Sequence, residues 1–80
     1  MIFLIEYNRI KGKLVTVEKF ADAEVESARQ ARLSLELDLH QKGIGHEVVL
    51  LDAKSEAALR RTHRRYFEDL SQLIMATPLL

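Results

Sequence analysis

The densest group of chemically capable side chains in this sequence lies between Leu59 and Phe67. Four arginines, one histidine and two aromatic residues occupy this range, in a chain of 80 residues whose formal net charge is zero. Clustered guanidinium groups bind phosphates and carboxylates through paired N–H donors. A histidine beside them could act as a general acid or base in phosphoryl chemistry. The segment therefore raises three hypotheses: a solvated helix face, an anion-binding surface and a small ribonuclease.

A helical arrangement of this segment divides its side chains between two faces. At about 100° per residue, His63 and Tyr66 fall on an apolar face. The opposite face carries the four arginines, which are Arg60, Arg61, Arg64 and Arg65. Because His63 and the arginines would not converge on one substrate within a single subunit, we predict no enzyme, and a ribonuclease that uses His63 is the weakest hypothesis. The arginine face stays a candidate anion-binding surface for nucleic acid or an acidic partner, beside the simpler interpretation of a solvated face.

The other histidines and glycines predict no metal and no cofactor. The spacing of His40 and His46 matches no standard zinc pattern, and neither a third ligand nor a cysteine accompanies them. The stretch 43–45 carries two glycines but would leave a helix rather than follow a strand, so we interpret it as a helix cap and a turn rather than a phosphate loop.

Length and composition indicate one small globular domain, residues 1–80. The chain is 48% hydrophobic and 30% charged, which is typical of a folded domain rather than a disordered segment. Its twelve basic and twelve acidic residues give no overall attraction to nucleic acid or to a membrane. The apolar start is only five residues long, too short for a membrane span. Together with the lack of cysteine, these properties predict a cytoplasmic location.

The first half of the chain is expected to form a hairpin and a helix. β-branched and aromatic residues favour strands at 2–8 and 14–20, and Gly12 suits the short loop between them. The helix is expected to begin at Asp22 as N-cap and to end near Lys42, just before Gly43.

Within that helix, residues 33–39 alternate between leucine and polar residues, as a half-buried strand would. We expect a helix instead, because no β-branched residue occurs between Glu26 and Gly43. As a helix, the segment directs Leu33 and Leu37 away from the apolar face. Arg32 lies at the edge of that face, where a buried pair with a strand carboxylate stays an open alternative.

The second half of the chain is expected to add a strand at 47–51 and a helix from Ser55 to about Met75, which gives the order ββαβα. Connection rules favour a mainly antiparallel three-stranded sheet in the order 2-1-3 with both helices on one face, a two-layer α/β sandwich of the α+β type. The first and third strands are apolar on both faces, so this arrangement leaves one apolar face open. We therefore predict a homodimer, with one helix per face in a monomer as the alternative. The candidate partner surface combines four apolar residues, which are Ile2, Leu4, Leu33 and Leu37.

The arginine-rich segment 59–67, the strand 47–51 before it and the opening at 4–9 resemble those of a group of short uncharacterised bacterial proteins. The resemblance implies a small bacterial protein and brings no activity with it. The expected function is a small interaction or regulatory domain without catalysis, and anion binding through the arginine face is the alternative.

Overall fold

The computed structural model describes residues 1–67, and within them the elements follow the predicted order. They are β1 (Ile2–Asn8), β2 (Lys13–Phe20), a 3-10 turn (Asp22–Glu24), α1 (Val25–Gln41), β3 (Glu47–Asp52), α2 (Glu56–Thr62) and a second 3-10 turn (Arg64–Tyr66). The three strands form one antiparallel sheet in the order β2-β1-β3, which confirms the predicted topology.

The hairpin between β1 and β2 closes as its residue types predict. Gly12 adopts a φ of 65°, a left-handed conformation that glycine reaches without a steric penalty. The Asn8 side chain accepts hydrogen bonds from the backbone N–H groups of Ile10 and Lys11, at 3.1 and 3.0 Å. Such an Asx turn satisfies backbone donors that the loop itself leaves unpaired. The predicted hairpin is therefore confirmed.

α1 includes residues 33–39, so the choice of helix over strand is confirmed. Its end is also confirmed, because Gly43 has a φ of 69° and the N–H of Ile44 donates to the Leu39 carbonyl at 2.9 Å. Its start differs from the prediction. A 3-10 turn precedes the helix, and the Glu24 carboxylate, rather than Asp22, accepts a hydrogen bond from the Ala21 N–H at 2.8 Å.

α2 begins as predicted and ends early. Ser55 is its N-cap, accepting a hydrogen bond from the Ala58 N–H at 3.1 Å. The helix was expected to continue to about Met75, but it stops at Thr62 because His63 has a non-helical backbone, with φ −126° and ψ 52°. The part of the prediction beyond Phe67 lies outside the described residues.

The helices lie on opposite faces of the sheet, one per face, so the expectation of two helices on one face was wrong. On one face, Leu59 of α2 and Tyr66 pack on the β1 residues Phe3, Ile5 and Tyr7. The other face carries the alternate β1 residues, and there Leu4 is only 2% exposed. α1 covers this second face, where its last turns lie beside Val48 of β3. The physical reason is that β1 is apolar on both faces and each face needs its own cover. The result is three layers rather than the predicted two.

None of the helices in residues 1–67 combines the length and the apolar character that a membrane crossing requires.

Candidate interaction surface

The outer edge of β3 pairs with no other strand of residues 1–67, because β3 is the last strand of the sheet. The Ala53 N–H donates to the Met1 carbonyl at 3.0 Å, and hydrogen-bonded pairs alternate along an antiparallel ladder. The residues of β3 that bond to β1 are therefore Glu47, Val49 and Leu51. The intervening residues Val48, Leu50 and Asp52 direct their N–H and C=O groups outward. This edge offers three donors and three acceptors to another strand.

The side chains of this edge are apolar and only half-buried. Four consecutive residues, 48–51, are valine or leucine, and each is intermediate in exposure. The strand pairs with β1 without a register shift and contains no proline. Flat apolar edges of this kind are templates for pairing with a further strand.

The opposite edge of the sheet, formed by β2, is protected against such pairing. β2 carries an irregularity at Val15, because Glu6 pairs with Thr16 and Tyr7 pairs with Leu14. This strand also carries three exposed charged side chains, those of Lys13, Glu18 and Lys19. A bulge and charged residues are two devices that prevent edge pairing. Among the strands of residues 1–67, the edge of β3 is therefore the one open to a partner strand.

The predicted partner surface does not form one patch. Leu33 and Leu37 are 57% and 54% exposed, and they point away from the sheet as the helical interpretation requires. Leu4, in contrast, is buried and Ile2 is half-buried on the sheet face that α1 covers. Because both sheet faces carry a helix, an uncovered apolar face is no longer a reason for a dimer.

The four arginines are all exposed, and they belong to two elements: Arg60 and Arg61 to α2, Arg64 and Arg65 to the second 3-10 turn. Arg65 donates to the Glu47 carboxylate at 2.8 Å, and its guanidinium lies 4.2 Å from the centre of the Tyr66 ring. Arg60 pairs with Glu56 of the same helix at 3.5 Å and stacks on Phe67 at 4.5 Å. The helical wheel does not apply to Arg65, because α2 ends at Thr62. Anion binding by these residues stays a prediction.

The contact between Glu47 and Tyr66 fastens the second 3-10 turn to the sheet. The Tyr66 hydroxyl donates to the Glu47 carboxylate, and the Tyr66 ring packs edge-on against Tyr7 with centroids 5.2 Å apart. The hydrogen bond from Tyr66, and secondarily that from Arg65, lowers the pKa of Glu47. Burial, followed by the contact with Glu47, raises the pKa of Tyr66. Tyr66 is therefore an anchor of the fold.

His63 lies at the C-terminal end of α2. Its Nδ1 is 2.9 Å from the Thr62 hydroxyl, and its ring stacks on that of Tyr66 with centroids 6.5 Å apart. The half-buried imidazole therefore packs where α2 meets the second 3-10 turn.

A pair that the sequence did not predict joins Glu6 of β1 to His46, which precedes β3. Glu6 is a buried carboxylate in the central strand, and its Oε2 lies 2.5 Å from Nδ1 of His46. The Thr16 hydroxyl donates to the other oxygen at 3.4 Å. The available signal was the interruption of the apolar run 2–5 by an acidic residue. Arg32 pairs instead with Glu36 at 2.7 Å, so it forms no buried pair with a strand carboxylate.

Within residues 1–67, no group of three or more histidine, aspartate or glutamate residues is arranged to hold a metal ion. Comparison of the chain with protein-family models, with curated proteins and with solved structures found no match.

Proposed function

We propose that this protein is a small interaction domain that works as a homodimer rather than as an enzyme. The observation that supports this proposal is the open edge of β3. The opposite edge of the sheet, formed by β2, carries a bulge and charged side chains. Addition of a strand to an open edge is a common recognition mode, in which main-chain hydrogen bonds supply affinity. A second copy of the same strand is the simplest partner, because closed twofold dimers dominate among oligomers.

The outward groups of β3 define how two copies pair. In an antiparallel arrangement with Leu50 opposite Leu50 of the second copy, Val48 faces Asp52 across the axis. All three outward residues of each strand then exchange N–H···O bonds with the partner. The same register places Val49 opposite Leu51, so the centre of the interface is apolar on both faces. Two three-stranded sheets thereby join into one of six strands.

The experiment compares proline substitutions at the two edges. Leu50→Pro removes an outward N–H of β3, whereas Lys19→Pro removes an outward N–H of β2. Both positions tolerate proline with respect to the β1 ladder, since neither N–H bonds to β1. Sedimentation velocity over micromolar to submillimolar concentrations is expected to show a dimer for the parent and for Lys19→Pro. Leu50→Pro is expected to weaken the dimer at least about tenfold, because each copy loses a bond.

A cysteine substitution gives a test that does not depend on how well proline is accommodated. The chain has no cysteine, so Leu50→Cys introduces a single thiol. Opposed residues in a hydrogen-bonded pair have Cα atoms about 5.5 Å apart, within the range of a disulfide. Oxidation is expected to crosslink Leu50→Cys and not Lys19→Cys. A monomeric parent at all concentrations, or equal crosslinking of both variants, would contradict the proposed dimer.

The anion-binding alternative has less support, because Arg60 and Arg65 already contact a carboxylate and an aromatic ring each. The cytoplasmic location belongs to this proposal as well, and it is supported by the lack of cysteine in all 80 residues.

A further inference from the structure

A groove of about 280 Å³ lies between the last turns of α1 and the start of β3. Its walls combine apolar and polar side chains, which are Glu36, Leu39, His40, Ile44, His46 and Val48. The groove adjoins the outer edge of β3 at Val48: the side chain of this residue forms part of the wall, whereas its backbone N–H and C=O groups point outward from the edge. Its polar residues come from two elements that the turn at Gly43 brings together.

Behind this groove lies the buried pair of Glu6 and His46. The Glu6 side chain is 9% exposed and that of His46 is 19% exposed. Burial of a carboxylate is costly, and a buried charged pair often stabilises a fold no better than apolar residues of the same volume. A buried acidic residue in a strand that is otherwise apolar therefore indicates a role other than stability.

The pair fixes the hydrogen-bonding character of the His46 ring. Nδ1 of His46 lies 2.5 Å from Oε2 of Glu6, and when Glu6 is ionised the proton of this hydrogen bond is on Nδ1. In the neutral imidazole the other nitrogen, Nε2, is then an acceptor. The contact with Glu6 thus fixes the orientation of the His46 ring at the wall of the groove.

The charges around the groove select the kind of molecule that fits. Glu36 supplies a carboxylate, and no lysine or arginine is among the six residues that form the walls. Glu6 adds a second carboxylate behind His46, while Arg32 pairs with Glu36 from its own helix at 2.7 Å. Leu39, Ile44 and Val48 provide apolar contact area. This combination complements a ligand with N–H donors and a short apolar body, and it disfavours an anion.

We propose that the groove binds a small organic amine. The ammonium group donates to Nε2 of His46 and to the Glu36 carboxylate, and the apolar part of the ligand lies on Leu39, Ile44 and Val48. The shallow, half-exposed wall predicts an affinity of about millimolar for a molecule of this size.

The test is a titration followed by amide NMR shifts, with phenethylamine as the probe. 2-Phenylethanol and 3-phenylpropionate share its apolar body and replace the ammonium by a hydroxyl and by a carboxylate. We expect saturable shifts for residues 36–48 with the amine, and binding at least about tenfold weaker for the other two compounds. Glu36→Gln is expected to weaken amine binding to a similar extent. The matched control is Glu26→Gln, which changes a glutamate of the same helix at a site remote in sequence from the groove.

A second variant separates binding from folding. His46→Phe alone would leave the Glu6 carboxylate buried without its partner, so the double variant Glu6→Leu/His46→Phe replaces both polar groups together. It is expected to fold and to lose amine binding. Equal affinity for all three compounds, or an unchanged affinity in Glu36→Gln and in the double variant, would overturn the proposed site.

Discussion

At the scale of single residues, Glu47 links the second 3-10 turn to the sheet. It accepts hydrogen bonds from Tyr66 and from Arg65, and Arg9 approaches it at 3.8 Å. Its carboxylate is about one fifth exposed, so these contacts lie at the margin of the core rather than inside it. Charged hydrogen bonds in such a position are stronger than surface ion pairs.

Replacement of Glu47 by glutamine should destabilise the fold in a manner that depends on pH. The hydrogen bond from Tyr66 lowers the pKa of Glu47 below its ordinary value of 4.5. The unfolded chain therefore takes up a proton at a higher pH than the folded chain. The resulting stabilisation is present above that ordinary pKa and is lost as the pH falls through the folded value. We expect Glu47→Gln to lower the free energy of unfolding by about 1–2 kcal/mol at pH 7.

Urea unfolding followed by circular dichroism at several pH values measures this difference. The gap between the parent and Glu47→Gln should close as the solution becomes acidic. Glu18→Gln, at an exposed position of β2, is the control and should change stability by less than about 0.5 kcal/mol. A gap that is constant with pH would show that the charge of Glu47 is not responsible.

Pairs such as Glu47–Tyr66 and Glu6–His46 could not be predicted from the sequence. Each joins residues far apart along the chain: the register of β1 with β3 sets the second pair, and the packing of Tyr66 on Tyr7 sets the first. The residue types gave the chemistry of each partner, but only the register brings His46 beside Glu6. The helical wheel, in contrast, applies only to Arg60 and Arg61, because α2 ends before Arg64 and Arg65.

At the scale of elements, the starts and stops that depend on local chemistry were predicted well. Gly12, Gly43 and Ser55 act where their conformational or capping preferences place them. The end of α2 was not predicted because tertiary contacts decide it. The Thr62 hydroxyl bonds back to the Ala58 carbonyl at 3.0 Å, and Tyr66 is drawn to Tyr7 and Glu47. Packing on the sheet thereby outweighs the helix propensity of the segment.

Removal of the α2 cap tests how far this short helix depends on its first turn. Ser55→Ala deletes the hydrogen bond to the Ala58 N–H and should cost about 1 kcal/mol. In a domain of this length that loss lowers Tm by about 4–8 °C, which thermal unfolding will measure. Ser34→Ala, at an exposed position within α1, should be neutral or slightly stabilising because alanine favours helix. Equal effects of the two substitutions would count against the cap.

At the scale of the whole molecule, one sheet packs against α2 on one face and against α1 on the other. The strand order was predictable from the hairpin and from connection rules. The side on which each helix lies was not, because β1 offers apolar residues to both faces, Phe3 and Ile5 to one and Ile2 and Leu4 to the other. The apolar residues 2–5 thus indicated that both faces of the sheet need to be covered. They did not indicate which helix covers which face.

A pair of leucine substitutions tests the three-layer arrangement. Leu4 is 2% exposed beneath α1, so Leu4→Ala should cost about 2–5 kcal/mol. That is a large part of the stability of a small domain. Leu33→Ala removes the same atoms from an exposed site of α1 and should cost less than about 0.5 kcal/mol. Denaturant unfolding of the two variants gives the comparison, and a small loss for Leu4→Ala would mean that α1 does not cover that face.

The central position of β1 also determines the order in which the chain can complete its sheet during synthesis. β1 precedes the other two strands of this sheet in the chain, and its hairpin with β2 forms from neighbouring residues. Its other side meets β3 only after the whole of α1 has been made. Non-local pairing of this kind is slow, and until it occurs the unpaired side of β1 is an exposed apolar edge. A translational pause after the β1–β2 hairpin has left the ribosome and before β3 has left it would therefore prolong the exposure of this edge.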